Sequence, residues 1–125
     1  MRAYFFTNMY LSSIQHGIQA LHCLQEINNS YPKHQMLDEW ANEHKTVYVL
    51  NGGTSFEMND LVHFFKHESN TLPWAVFHEP SLDNSLTCIG IIVPDDIYNR
   101  PDKGWYDISF EGELSRLLRS KRFAK

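Results

Sequence analysis

The chain has 125 residues, of which 42% are hydrophobic and 14% aromatic, and these values predict one globular domain and exclude a disordered chain. It carries 11 basic and 15 acidic residues, and the net charge of −4 argues against a broad nucleic-acid-binding surface. Five of the 11 basic residues lie in the last ten positions, so a basic tail follows a more acidic body.

Apolar periodicity and turn residues predict eight elements. In chain order these are a strand over 2–8, helices over 12–27 and 34–42, a strand over 45–50, a helix over 56–68, strands over 74–78 and 86–93, and a helix over 111–121. This order predicts an α/β fold, a three-layer sandwich in which a mixed four-stranded sheet has helices on both faces. Residues 86–93 form a continuous apolar run, which predicts a strand buried on both faces.

The helix over 12–27 begins at Ser12 and Ser13, which are good capping residues. A row with helical spacing predicts its core-facing side: Ile14, Ile18 and Leu21. The neighbouring row is polar: Gln15, Gln19, His22 and Glu26. This polar row is either the solvated edge of an amphipathic helix or the lining of a cleft.

Gly52 and Gly53 end the strand over 45–50, and Ser55 is the predicted cap of the helix that follows. Helix N-termini bind phosphate in α/β folds, but the segment lacks both the G-x-G-x-x-G pattern and the lysine of a P-loop. The sequence favours a plain turn here.

Seven histidines raise the question of a metal site. Only His63 and His67 share a helical i, i+4 spacing, and they lack the H-E-x-x-H pattern. No serine has the context of an activated nucleophile. The sequence therefore predicts neither a metal site nor a covalent intermediate.

The two cysteines, Cys23 and Cys88, lie in apolar runs and are predicted to be small buried residues without a disulfide. No run is long enough to cross a bilayer, and no export signal precedes the first strand. These features predict a cytoplasmic protein that makes no membrane contact.

The loop between the strands over 74–78 and 86–93 contains Glu79 and Asp83, and Thr87 follows at the start of the second strand. Pro80 fixes the backbone directly after Glu79. Loops that follow strands often carry binding sites in open α/β sheets. The loop is either such a site or an acidic surface segment.

Two motifs together resemble the archaeal/eukaryotic-type peptidyl-tRNA hydrolase family (peptidyl-tRNA hydrolase II). They are the helix with Gln19-x-x-His22 after an N-terminal strand, and Glu79-Pro80 followed by the Thr87-Cys88-Ile89-Gly90 strand. The resemblance covers residues 2–94, so we expect a domain of this type over 1–94, with a loop and a basic helix over 95–125 attached to it. Asn8, Gln15 and Glu79 stand where the family has Asp, Lys and Asp.

The resemblance implies hydrolysis of the ester between a peptide and tRNA, without a cofactor or a metal. Glu79 would activate water, and Thr87 and Gln19 would donate hydrogen bonds at the reacting carbonyl. Residues expected to bind substrate or support the site are Asn8, Gln15, His22 (packed behind Gln19), Asp83, Arg119 and Arg122. The partners would be peptidyl-tRNA and, because family members commonly dimerise, a second copy of the chain.

Two other functions remain open from the sequence. The same amide and hydroxyl groups suit an inactive protein of this fold that binds a nucleotide-like small ligand through hydrogen bonds. The second is a plain interaction domain that dimerises through a sheet edge or through its helices.

Overall fold

The computed structural model describes all 125 residues as four strands, five α-helices and short helical turns. The strands are β1 (Arg2–Asn8), β2 (Val47–Gly53), β3 (Trp74–Glu79) and β4 (Ser85–Val93). The helices are α1 (Ser13–Ser30), α2 (Gln35–Glu39), α3 (Ser55–Phe65), α4 (Asp95–Tyr98) and α5 (Phe110–Ser120). One π-helical turn, Trp40–His44, continues α2, and 3₁₀ turns lie at Pro80–Leu82 and Gly104–Tyr106.

The sheet is mixed and has the strand order β2-β1-β4-β3. Strand β1 pairs parallel with β2 and antiparallel with β4, and β4 pairs antiparallel with β3. The carboxyl ends of β1, β2 and β3 therefore lie at one edge of the sheet, together with the start of β4. Because β1 and β4 are the two central strands, the apolar run of β4 is buried along almost its whole length, as predicted.

Helices cover both faces of the sheet and confirm the predicted three-layer α/β architecture. On one face α1, α2 and the π turn enclose a core that includes Phe5, Cys23 and Trp40. On the other face α3, α4 and α5 enclose a larger core around Phe6 and Phe65. Both cysteines are buried and free, as predicted.

The predicted orientation of α1 is wrong. Ile14 is 73% exposed and Leu21 is 70% exposed, whereas Gln19 is fully buried. The helix faces the sheet with a different row: His16, Gln19, Ala20, Cys23 and Ile27. Within the polar row, Gln19 is therefore not exposed to solvent, because its side chain forms hydrogen bonds with residues of β3 and β4.

The start of α3 also differs from its prediction. Thr54, rather than Ser55, caps the helix, and it forms a reciprocal capping box with Glu57. Gly53 has φ +87°, and a β-carbon there would lie 2.7 Å from the Glu57 carboxyl carbon. Gly52 and Gly53 are the last two residues of β2 rather than the predicted turn, and the Glu57 carboxylate already occupies the helix N-terminus that follows them.

Helices α4 and α5 pack on the sheet. Leu114 and Leu118 of α5 join the larger core, and α4 is an additional short helix within the predicted loop. Arg116 donates to the carbonyl of Gly104 at 2.7 Å, and Arg119 donates to the carbonyl of Arg100. The basic side chains of α5 thus hold the loop before this helix.

No helix combines the length and the apolar character needed to cross a lipid bilayer.

Candidate functional site

The candidate site lies at the edge of the sheet where β1, β2 and β3 end. From this edge β1 leads to α1 on one face, and β2 leads to α3 on the other. A crevice forms where neighbouring strands continue to opposite faces of a sheet, and ligands bind there in α/β folds. The sequence places polar residues at these strand ends, and the structure brings several of them into contact.

Gln19 is the centre of a hydrogen-bonded cluster that joins α1, β3 and β4. Its Oε1 accepts from the Thr87 hydroxyl at 2.6 Å. Its Nε2 donates to Glu79 Oε1 at 3.2 Å and to Gln15 Oε1 at 3.1 Å. All the hydrogens of the Gln19 amide and of the Thr87 hydroxyl are used within the cluster, so three partners fix the orientation of Gln19. In this arrangement neither side chain has a free hydrogen for the reacting carbonyl, the role that the sequence predicted for both.

A β-bulge turns Thr87 towards Gln19. Phe77 pairs with Cys88, but the next residue, His78, pairs with Leu86, so Thr87 is the extra residue on β4. In a regular strand, side chains alternate between faces, and Thr87 would lie opposite to Cys88. Here Cys88 belongs to the core beneath α1, and Thr87 reaches the same face to contact Gln19.

A cavity of about 400 Å³ adjoins this cluster, with Thr87 in its wall. Its other lining residues come from the ends of β1 and β4, the start of α3 and the β3–β4 loop: Asn8, Tyr10, Leu11, Ser55, Ser81, Leu82, Asp83 and Ser85. Hydroxyl and amide groups are frequent in this wall, and it contains no lysine or arginine. The cavity therefore suits a ligand recognised through hydrogen bonds.

Asn8 lines the cavity but is already held by the protein. Its Nδ2 donates to Ser55 Oγ at 3.3 Å, and its Oδ1 accepts from the Tyr10 backbone N–H at 2.9 Å. The side chain thereby ties the end of β1 to the start of α3. One Nδ2 hydrogen remains available to a ligand.

The predicted residues outside the cluster have different surroundings. His22 stacks on Phe77, with ring centroids 4.6 Å apart, and does not hydrogen-bond Gln19. Asp83 is an exposed residue of the β3–β4 loop that lines the cavity. Arg119 contacts the loop at Arg100, whereas Arg122 lines a second cavity beside Met9 and His16.

The cluster leaves reactive groups at its surface. Glu79 is partly buried, and only its Oε1 accepts a hydrogen bond from the protein, so Oε2 is available to water. Gln15 accepts through Oε1, which leaves its Nε2 hydrogens free to donate. A carboxylate that can take a proton therefore lies near an amide that can stabilise a developing oxyanion.

The side chains that could together bind a metal ion lie outside the candidate site. Ligand atoms of Glu39, Glu43 and His44 lie within 4.8 Å of one another at the π turn. This turn precedes β2, at the end of the strand away from the candidate site, and Glu43 and His44 are exposed. The group is compatible with an ordinary surface pair, since His44 Nε2 lies 3.6 Å from Glu39 Oε1.

Sequence reasoning missed Tyr10, Ser55 and His16. Tyr10 follows β1 and Ser55 begins α3, so the rule that carboxyl ends of parallel strands meet would have indicated both. His16 was one of seven histidines without a distinguishing pattern. It is 6% exposed, and its Nδ1 lies 2.6 Å from the Thr7 hydroxyl.

Burial lowers the pKa of His16, and a hydrogen bond with the backbone of Lys125 acts in the opposite direction. The folded protein thus favours neutral His16, and the unfolded chain binds the proton more readily. We expect the free energy of unfolding to fall as the pH drops below about 6.5, with a slope of at most about 1.4 kcal/mol per pH unit from this residue. The loss ends below the lowered pKa of the folded state.

Urea unfolding from pH 7.5 to 5, compared between the wild type and His16→Gln, measures this contribution. Most of the slope should be absent in the variant. Equal slopes in the two proteins would show that His16 is not the responsible group.

Comparison with known proteins finds no family model that matches the chain and no significant match among curated proteins.

Proposed function

We propose that the chain is a cytoplasmic hydrolase that cleaves the ester between a peptide and the 3′ end of a tRNA. The observation that supports this most is the contact of Gln19 with both Glu79 and Thr87. These are the three residues to which the resemblance assigns catalysis, and Gln19 lies 60 and 68 positions from the other two in the sequence.

In the proposed reaction, Glu79 Oε2 accepts a proton from a water molecule as that water attacks the ester carbonyl. Gln15 Nε2 donates a hydrogen bond to the developing oxyanion. The tetrahedral intermediate then breaks its bond to the tRNA 3′ oxygen, which receives the proton held by Glu79. The products are a free peptide carboxylate and a tRNA 3′ hydroxyl, and no cofactor takes part.

Peptide release from a radiolabelled peptidyl-tRNA tests this function directly. The wild-type protein should release the peptide at substoichiometric concentration, with multiple turnovers. If no release occurs even when the protein is in excess over the substrate, the proposed activity is wrong.

A second candidate function follows from the charge of the cavity. No lysine or arginine lines it, and Tyr10 beside it is 77% exposed, so its ring is open to stacking. These features favour an uncharged nucleoside-like ligand bound without reaction. Mass spectrometry of material released from the purified protein by heating tests this function: a co-purifying nucleoside or nucleotide would favour it over hydrolysis.

We also propose that the chain pairs with a second copy through an apolar row of α1, which comprises the exposed Ile14 and Leu21 and the partly buried Ile18. This row borders an apolar groove of about 450 Å³ between α1 and β2. Glu26 is the only charged residue in α1. A face without charge suits a two-fold contact, because identical residues then approach each other without repulsion.

Sedimentation velocity at several concentrations measures this association. Leu21→Lys should give a monomer, whereas Ile108→Lys, at a residue that is 80% exposed outside α1, should sediment like the wild type. A wild-type protein that remains monomeric at all concentrations contradicts the proposal.

A further inference from the structure

The last residues of the chain form an additional antiparallel pairing on the outer edge of β2. The Asn51 N–H donates to the carbonyl of Arg122 at 2.7 Å, and the Ala124 N–H donates to the carbonyl of Val49 at 3.0 Å. Between these bonds Leu50 and Phe123 form a β-bridge. The segment over 122–125 is therefore held at the carboxyl half of β2, near the candidate site.

This pairing creates the second cavity, of about 240 Å³, near the carboxyl ends of β1 and β2, where the candidate site also lies. Arg122 and Lys125 are part of its wall, and no Asp or Glu lines it. His16 and Asn51 add polar groups. In a chain of net charge −4, two basic residues without an acidic side chain beside them favour an anion in this cavity.

A short piece of the β1–α1 connection separates the two cavities. Met9 lines the cationic cavity, and its neighbours Asn8 and Tyr10 line the cavity beside Thr87. Three residues of chain span at most about 10 Å. A ligand that lies in the cavity beside Thr87 can therefore place a second group in the cationic cavity.

We propose that the cationic cavity binds a backbone phosphate of the tRNA strand whose 3′ end lies in the neighbouring cavity. This inference rests on the proposed function, since it takes the substrate from it. Gln15 at the candidate site is neutral, and its amide supplies no charge to a phosphate. Arg122 and Lys125 supply the missing positive charge from the C-terminal segment.

Deacylated tRNA is the main probe, because it lacks the ester and its binding is independent of hydrolysis. Fluorescence anisotropy gives the dissociation constant between 50 and 300 mM KCl for three proteins. They are the wild type, the double variant Arg122→Gln/Lys125→Gln, and the matched control Lys33→Gln/Lys66→Gln, whose exposed lysines follow the ends of α1 and α3 that lie away from the candidate site. The charge-retaining swap Arg122→Lys/Lys125→Arg serves as a fourth protein if the double variant unfolds.

Loss of one phosphate contact should lower the slope of log K against log salt by about 1 in the double variant. The control and the charge-retaining swap should keep the wild-type slope. Inorganic phosphate should shift the NMR amide signals of Asn51 and residues 122–125 in the wild type and leave them unchanged in the double variant.

An unchanged slope in the double variant, an equal loss in the control, or a wild type that does not bind tRNA overturns the phosphate site. The proposed hydrolysis is tested separately by peptide release. Salt-dependent tRNA binding through Arg122 and Lys125 without peptide release would refute the hydrolase and keep the phosphate site. Peptide release combined with an unchanged slope in the double variant would support the hydrolase and refute the phosphate site.

Discussion

Glu79→Gln should lower the turnover number for peptide release by about 10²- to 10⁴-fold, the range typical of a lost general base. A glutamine at this position keeps the shape of the side chain and can still accept a hydrogen bond from Gln19. It cannot take a proton from the attacking water. The fold should therefore persist while the reaction slows, and the Michaelis constant should change little because the substituted group acts on the water.

Asp60→Asn is the matched control for this experiment, since Asp60 is an exposed carboxylate of α3 outside the candidate site. Its turnover number should equal that of the wild type. Thermal unfolding of both variants checks that the fold is intact. A Glu79→Gln protein that retains more than a tenth of the wild-type rate would remove Glu79 from the proposed mechanism.

The second large effect concerns the stability of the Gln19 cluster. Thr87→Val leaves Gln19 Oε1 buried without a donor and should lower the free energy of unfolding by about 1–3 kcal/mol. Gln19→Leu removes the partner of Thr87 and should cost a similar amount. The double variant replaces both polar groups with apolar ones, so its loss should be smaller than the sum of the single losses by about 1 kcal/mol or more.

Urea unfolding of the four proteins of this cycle gives the coupling energy. Thr71→Val, at an exposed threonine, is the control and should stay within about 0.5 kcal/mol of the wild type. Additive losses in the cycle would mean that the 2.6 Å contact between Thr87 and Gln19 contributes no coupling. This outcome is independent of whether the protein is an enzyme.

The order of strands and helices was predictable because each element has a strong local pattern. The run over 86–93 indicated a fully buried strand, and β4 is central in the sheet. The orientation of α1 was not predictable from periodicity. Its row with Ile14 and Leu21 is the more apolar one, yet Gln19 is buried because it bonds to residues 60 and 68 positions away in the sequence.

The candidate site was partly predictable for the same reason. Family-like motifs indicated Gln19, Glu79 and Thr87, whose contact depends on the overall fold. The bulge that turns Thr87 towards α1 depends on the register between β3 and β4, which no local pattern encodes. The place of Arg122 depends on the return of the chain to the edge of β2, so the sequence could not separate it from Arg119.

The return of residues 122–125 to β2 also affects how the protein behaves in concentrated solution. The unpaired N–H and carbonyl groups of an outer strand form a template on which a strand from another molecule can add. Here the Asn51 N–H donates to the carbonyl of Arg122, and the Val49 carbonyl accepts from the Ala124 N–H, so these groups are already paired. The C-terminal segment therefore shields the sheet from edge-to-edge aggregation, a role in solubility that its residues would have whether or not they bind a phosphate.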